Sequence, residues 1–340
     1  MAHVIVIATG GTIASRSTKP GAGKIAVTAA AALVESVSDG RVPPGITVEA
    51  RDAGTMNSYN LTLADARRIV AAISSALDSK ADGIVVTHGT DTLEETGFLY
   101  DLVSSDPRPV IFTGAQQSSD TTGGGDGPGN IADAITVAAN PASRCRGAMA
   151  VFSGCIFAVR GVRKVNTFAA QPFAPVVGGN IGLVWDGLVQ YNSYPEPWRR
   201  LECLSAAFDS LRIATVVNQP GLSNGDGDIE SALQRGASGI VVLGTGAGNT
   251  SKSLVSGIEA AAAAQVPVIL ATRLPFGHIT PTYGDGGAVD AVAAGAVPIW
   301  SLPFTQARLL LATLLDQVGS AQIPHDLATF DRKIGRWSPV

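Results

Sequence analysis

The sequence predicts an α/β protein of two domains, each with a mainly parallel sheet covered by helices. Three observations predict it. Short runs rich in Val and Ile recur along the chain without polar alternation, and such runs are buried on both faces, as in sheets sandwiched between helices. Helix-like segments alternate with them in both halves, the pattern of βαβ units in a doubly wound fold. The chain has 340 residues, too many for one typical core at roughly 150 residues per domain.

Buried strands are expected at His3–Ala8, Gly83–Thr87, Pro109–Thr113, Gly239–Gly244 and Val266–Thr272. Thr62-Leu63-Ala64-Asp65 resembles a capping box and opens a helix to about Leu77. Further helices are expected from Asp91 to about Ser104 and from Phe304 to about Val318, the latter with a leucine stripe. The pattern breaks at Gln190–Leu211, where Pro195, Pro197, Trp198, Arg199 and Arg200 cluster. An N-terminal α/β domain is therefore set at 1–190, a linker at 191–211 and a C-terminal α/β domain at 212–340, opening on a strand at Arg212. No fixed repeat period is visible, which excludes a solenoid.

Composition narrows the function classes. Hydrophobic residues make up 46% and charged residues 15%, a balance that suits a packed enzyme and not a disordered chain. The net charge of −4 provides no basic footprint, so no nucleic-acid partner is expected. The longest uncharged stretch, Val165 to Trp185, is interrupted by Asn166, Gln171, Pro172, Pro175 and Asn180, which a spanning helix would have to bury in lipid; no membrane segment is expected. The N-terminal apolar run lacks a basic leader and turns at once into glycines, reading as a first strand rather than a signal peptide. Cys145, Cys155 and Cys203 cannot all pair within one chain and are not spaced as metal ligands. They read as buried structural thiols, and the chain as cytoplasmic.

Ligands of open α/β sheets bind beyond the carboxyl ends of the strands. Two such positions carry hydroxyls. In Thr9-Gly10-Gly11-Thr12-Ile13-Ala14 the glycines let the backbone approach a ligand and hold Thr12 at a strand tip; the plainer reading is a tight turn. The two phosphate-binding fingerprints, a glycine loop ending in Lys-Ser/Thr and G-x-G-x-x-G, are both missing. In Thr87-His88-Gly89-Thr90-Asp91-Thr92-Leu93-Glu94-Glu95-Thr96 a second strand end runs into a helix, where Thr90 and Asp91 could hold an anion or simply serve as the N-cap. His88, flanked by Thr and Gly, reads as a structural residue. A threonine hydroxyl is a poor nucleophile unless a base or cation activates it; Lys164, alone in an apolar region, could do so if partnered by Asp91, or could be a solvated loop lysine.

Thr-Gly-Gly-Thr-Ile-Ala after the first strand and Thr-His-Gly-Thr-Asp-Thr-Leu-Glu-Glu-Thr further on resemble the two signature motifs of the asparaginase/glutaminase family. The likeness continues through Thr113-Gly114-Ala115 with Asp126-Gly127-Pro128-Gly129-Asn130, through Lys164-Val165-Asn166-Thr167, and through Gly244–Asn249 and the Ala307-Arg308 helix, nearly the whole chain. The resemblance implies a cofactor-free amidohydrolase that converts L-asparagine to aspartate and ammonia, with glutamine as an alternative substrate and a non-catalytic amino-acid binder as the competing class. It implies Thr12 as nucleophile, and Thr90 activated by Lys164 and Asp91, with Asp91 also binding the substrate amino group. Gly11, Gly89 and Ala115 would line the pocket. Asn249 would come from a neighbouring subunit, hence a homo-oligomer, dimer or tetramer, with shared sites.

Three departures from the family pattern stand out. Ser15–Thr28 lacks the tyrosine that often follows the nucleophile, leaving Ser15, Lys19 and Lys24 as candidates to complete the first triad. In Asp52-Ala53-Gly54-Thr55-Met56-Asn57, Ala53 and Gly54 stand where relatives place carboxylate-gripping polar side chains. Thr55 is the nearby hydroxyl, and a weak grip on the substrate carboxylate is expected. Tyr283 stands where the partner domain often offers an acid.

Overall fold

The structure, a computed structural model, describes residues 1–17, 23–37, 40–121, 125–195, 200–221, 229–318, 320, 323 and 327. The chain divides into two compact units, Met1–Pro197 and Trp198–Val340.

The first unit begins with β1 (Ala2–Gly10), a short hairpin of β2 (Ser15–Ser17) and β3 (Lys24–Ala26), and α1 (Ala30–Glu35). It continues through β4 (Ile46–Met56), α2 (Leu63–Leu77), β5 (Gly83–Thr87), α3 (Leu93–Val103), β6 (Val110–Thr113), α4 (Gly127–Ala139) and β7 (Ala148–Phe152). It ends with β8 (Cys155–Ala158), the β9 (Val162–Lys164) and β10 (Phe173–Pro175) hairpin, and β11 (Gly182–Trp185) with β12 (Leu188–Tyr191). Among the described residues the main sheet runs β12-β11-β8-β7-β6-β5-β1-β4. From β4 to β7 every pairing is parallel.

Burial explains the run-like sequence of these strands. Val4, Val6, Val85 and Ile111 join Ile131, Ala134 and Ile135 of α4, and Ala30 and Leu33 of α1, in one core layer. Their alternating neighbours Ile5, Ile7, Ile84, Val86 and Phe112 are equally buried, because side chains two apart share a face and α2 and α3 pack on the sheet as well. The capping box forms as expected: Thr62 Oγ1 accepts from the Asp65 N–H at 3.2 Å and Asp65 returns a bond to the Thr62 N–H at 2.9 Å. At the far edge the sheet turns antiparallel. The reversals at Ser153-Gly154 and Asp186-Gly187 place both residues at positive φ, 47° and 73°, then 47° and 75°, as type I′ turns require.

The second unit contains β13 (Ile213–Val217), α5 (Ile229–Gln234), β14 (Gly239–Gly244), α6 (Lys252–Ala263), β15 (Val268–Thr272), α7 (Ala288–Ala293), β16 (Val297–Pro298) and α8 (Phe304–Val318). Its four strands run in chain order and all parallel. Ile229, Leu254, Ile258 and Ala288 of α5, α6 and α7 close one face. The leucine stripe of α8 packs on the sheet, so tightly that a Cβ on Gly239 would stand 2.8 Å from Leu311 Cδ2.

The chain is therefore a two-domain α/β protein with a large, mainly parallel sheet and a second parallel sheet. One expectation needs correction. The cysteines are not buried: Cys145 and Cys203 are exposed and Cys155 half-buried, all three unpaired, because Cys145 sits in the turn before β7 and Cys203 in an irregular segment. Among the described residues no helix is long and apolar enough to cross a membrane; the Val165–Trp185 stretch contains β10 and β11 instead.

Candidate active site

In the first sheet β1 lies between β4, which follows it in sequence, and β5, which follows β4. The strand order reverses there, so the chain leaves β1 and β5 in opposite directions across the sheet, and in open α/β sheets such a switch point is where the ligand crevice lies, beyond the carboxyl ends of the strands. Gly11-Thr12 and Gly89-Thr90 stand at those two ends.

Glycine brings them together. Gly11 has φ 82°, and a Cβ there would lie 2.3 Å from Gly89 Cα. Gly89 is sandwiched in turn, since its own Cβ would stand 2.4 Å from Ser58 Oγ and 3.2 Å from Gly11 Cα. Gly11 donates its N–H to Met56 O at 3.0 Å, so that donor is occupied. Among the described residues the N–H groups of Thr12 and Gly89 have no acceptor.

Around Thr90 the hydrogen bonding is dense. Lys164 Nζ donates to Thr90 Oγ1 at 2.8 Å and to Asp91 Oδ1 at 2.9 Å. The lysine side chain is 18% exposed and the aspartate 54%, so the ion pair lies at a rim, with the ammonium on the inner side. Lys164 ends β9, and its own N–H is bonded to the carboxylate of Glu94, a buried residue in the first turn of α3. That bond fixes the lysine backbone to the helix that follows Thr90. Thr90 Oγ1 donates to Gln116 Oε1 at 3.1 Å. The helix N-cap is Thr92 rather than Thr90 or Asp91, which leaves both side chains free of capping. His88 is fully buried, and desolvation pushes it down to about 4, so it is neutral near pH 7. Its Nδ1 donates to Gly89 O at 2.9 Å, a structural role, as expected.

Thr12 begins a 3-10 turn, Thr12–Ala14. Two of the candidates to complete its triad are occupied elsewhere. Ser15 Oγ donates to Gly11 O at 2.8 Å, and Lys24 Nζ is paired with Asp120 at 2.8 Å and bonded to Ser118. Lys19 lies outside the described residues.

Ala115 is buried, its side chain among core residues. The Asp126–Asn130 motif turns out to be scaffolding for the segment that contains it: Asp126 accepts from the N–H groups of Gln116 and Gln117 at 3.0 and 2.8 Å, and Asn130 Nδ2 donates to Gly114 O at 2.9 Å. Thr55 stands exposed near the end of β4, where a bulge sets four steps of β4, Asp52 to Met56, against two of β1, Ala8 to Gly10. The buried hydroxyl next to the glycines belongs to Ser58, which the sequence reading passed over. Gln116 was passed over as well; its place directly after Thr113-Gly114-Ala115 was the signal available.

In the second unit Asn249 closes a tight turn, bridged to Thr245, and its Oδ1 accepts from the Ala288 N–H at 3.3 Å. Tyr283 is 64% exposed. An acid does stand in that segment, Asp285, paired with Lys252 at 2.5 Å.

Comparison with known proteins shows the family. The N-terminal asparaginase family matches residues 3–197, and the glutaminase/asparaginase C-terminal domain family matches residues 222–323. A probable L-asparaginase of Deinococcus radiodurans is 36% identical, over 92% of this chain and 93% of that protein. L-asparaginase 2 of Escherichia coli is 31% identical, over 94% and 90%. The crystal structure of a probable cytoplasmic L-asparaginase from Campylobacter jejuni superposes with a TM-score of 0.86 at 23% identity, covering 98% of this chain and all of that one. This chain belongs to the asparaginase family. It is an enzyme, of the amide-hydrolase class.

Proposed function

We propose that the protein hydrolyses the side-chain amide of L-asparagine through a threonine-bound acyl-enzyme. The observation that supports this best is the Lys164 ammonium, shared between Thr90 Oγ1 and Asp91 Oδ1 beside the crevice where Gly11 and Gly89 abut. Thr12 Oγ attacks the carboxamide carbon, forming a C–O bond. The C–N bond then breaks and ammonia departs with the proton that Thr12 gives up. Water cleaves the resulting ester, releasing aspartate and restoring the hydroxyl. The N–H groups of Thr12 and Gly89 are the unengaged donors for the oxyanion, a role in which one donor is worth about 10²–10³ in kcat. Asp91 offers its exposed carboxylate to the substrate ammonium, and Ser58 supplies a hydroxyl to the substrate carboxylate.

Asn249 and Tyr283 complete the site from a neighbouring subunit in this reading, so the active form is a homo-oligomer. The compartment is the cytoplasm, consistent with three unpaired cysteines, two of them exposed. The deciding assay is ammonia release by purified protein from asparagine, glutamine and a plain aliphatic amide, side by side. Turnover of asparagine well above the aliphatic amide is expected; equal rates on all three would overturn the substrate assignment. Mixing Asn249→Ala with Thr12→Ala subunits should restore activity in heteromers. Mixed oligomers that stay inactive would refute the shared site.

A further inference from the structure

We propose that Gln116 is the positioning residue for Thr90: it fixes the direction of the Thr90 hydroxyl proton and thereby of its one uncommitted lone pair. A hydroxyl has one donor and two acceptor positions. One acceptor position of Thr90 Oγ1 takes the Lys164 ammonium at 2.8 Å, and the donor goes to Gln116 Oε1 at 3.1 Å. With the bond to Cβ, three of the four tetrahedral directions are spent. The remaining lone pair has a single orientation.

That orientation is only as firm as the amide that receives the proton, and both polar atoms of the Gln116 amide are held. Its Nε2 donates to the carbonyls of Thr167 and Ala169 at 3.1 and 3.3 Å. A flipped amide would set its oxygen against two carbonyls and leave both N–H groups facing a threonine already solicited by an ammonium. Oxygen therefore faces Thr90. The backbone of Gln116 is anchored independently, through its N–H to Asp126 Oδ2 at 3.0 Å. Without this acceptor the Thr90 proton is free to rotate over the directions that Lys164 leaves open, and the productive orientation becomes one of several.

The inference rests on the proposed function, with Thr90, held by Lys164, acting as the activated partner of Thr12 in that reaction, and the experiment keeps the two apart. If Thr90→Val retains activity, the catalytic reading fails, and Gln116 with it. If Thr90→Val is inactive, three further variants of the intact protein decide. Gln116→Met, which removes the acceptor at similar volume, should lower kcat by roughly 10–100-fold with KM changed by less than about threefold, the signature of an interaction that acts on the chemical step. Gln116→Glu should show a deficit that depends on pH. As a carboxylate it has no proton for the Thr167 and Ala169 carbonyls and swings away. Protonated, it donates to one of them and offers its other oxygen to Thr90, so its activity relative to wild type should recover as pH falls. Asn166→Ala is the control for the loop itself, because Asn166 Oδ1 accepts from the N–H groups of Phe168 and Ala169, both at 2.8 Å, without touching Thr90. Its kcat should stay within about threefold of wild type. A normal kcat in Gln116→Met, a pH-independent loss in Gln116→Glu, or an equal loss in Asn166→Ala would each overturn the proposal.

Discussion

The two walls of the crevice are built differently. On the β5 side Thr90 is enclosed by Lys164, Asp91 and Gln116, groups drawn from three separate segments and themselves tied to Glu94, Asp126, Thr167 and Ala169. On the β1 side Thr12 sits in a single 3-10 turn, and the residues expected to help it, Ser15 and Lys24, are bonded to other groups. One hydroxyl is prepared in advance by the fold. The other is held at the right place but not activated by any described neighbour. A site of this kind separates positioning from activation, and the variants below test how far that separation goes.

The largest effect is expected at the hydroxyls themselves. Thr12→Ala and Thr90→Val should each lower kcat by roughly 10³-fold or more with the fold intact, because neither the proposed nucleophile nor its proposed activated partner has a substitute. Circular dichroism and thermal melts would establish the fold, and ammonia release the loss. A Thr12 variant with more than about a tenth of wild-type activity would reverse the roles assigned to the two walls.

The contact between the walls comes next. Gly11→Ala introduces a methyl 2.3 Å from Gly89 Cα at a residue with φ 82°, so backbone must move and a left-handed conformation is strained. A loss of stability of about 1–3 kcal/mol is expected from the strained backbone alone, together with loss of activity from the displaced Thr12. A stable, active Gly11→Ala protein would mean that the walls need not touch.

A smaller effect is expected at Ser58. Its hydroxyl lies against Gly89, between the walls, and one hydrogen bond to a charged group is worth about 1.5–3 kcal/mol. Ser58→Ala should therefore raise KM for asparagine by about tenfold or more with little change in kcat. Thr55→Ala should do nothing comparable. If Thr55→Ala raises KM and Ser58→Ala does not, the grip on the carboxylate belongs to the bulge of β4.

How much of this was legible in the sequence differs between the walls in the same way. Continuous Val/Ile runs marked the parallel strands, since burial on both faces removes the need for alternation, and the capping box located α2. The glycines marked the strand tips. Gln116 and Ser58 were not legible, because a glutamine or serine in a loop looks the same whether its bonds go to water or to another segment dozens of residues away. The antiparallel edge was legible in part: Asp186-Gly187 is a strong hairpin signal, but the Asp-Gly pair is flanked by strands of only four residues each. The N-cap of α3 could not be read from Thr90-Asp91-Thr92, since all three are good caps. Lys164 engages two of them, and Thr92, which holds the N-cap position, gives its hydroxyl to Ser58 O at 3.0 Å instead of to the helix.

The smallest effect expected lies away from both walls, at the start of α2, and it sharpens the comparison by touching stability alone. Thr62 and Asp65 bond reciprocally across the first turn. The Thr62 hydroxyl holds the Asp65 carboxyl below its ordinary value, with help from the Thr62 N–H and Arg68. A carboxyl depressed in the folded state adds stability that is complete above its unfolded value, near 4, and is lost as pH falls through the folded value. Thr62→Ala should cost about 0.5–2 kcal/mol at pH 7, the usual worth of an N-cap, with kcat unchanged. The difference from wild type should shrink in acid, because the ionised carboxylate that Thr62 favours is disappearing in both proteins. Urea unfolding at neutral pH and near pH 3 would measure it. A cost that stays constant across that range would mean that the cap acts through the backbone bond alone and that the Asp65 charge contributes nothing to it.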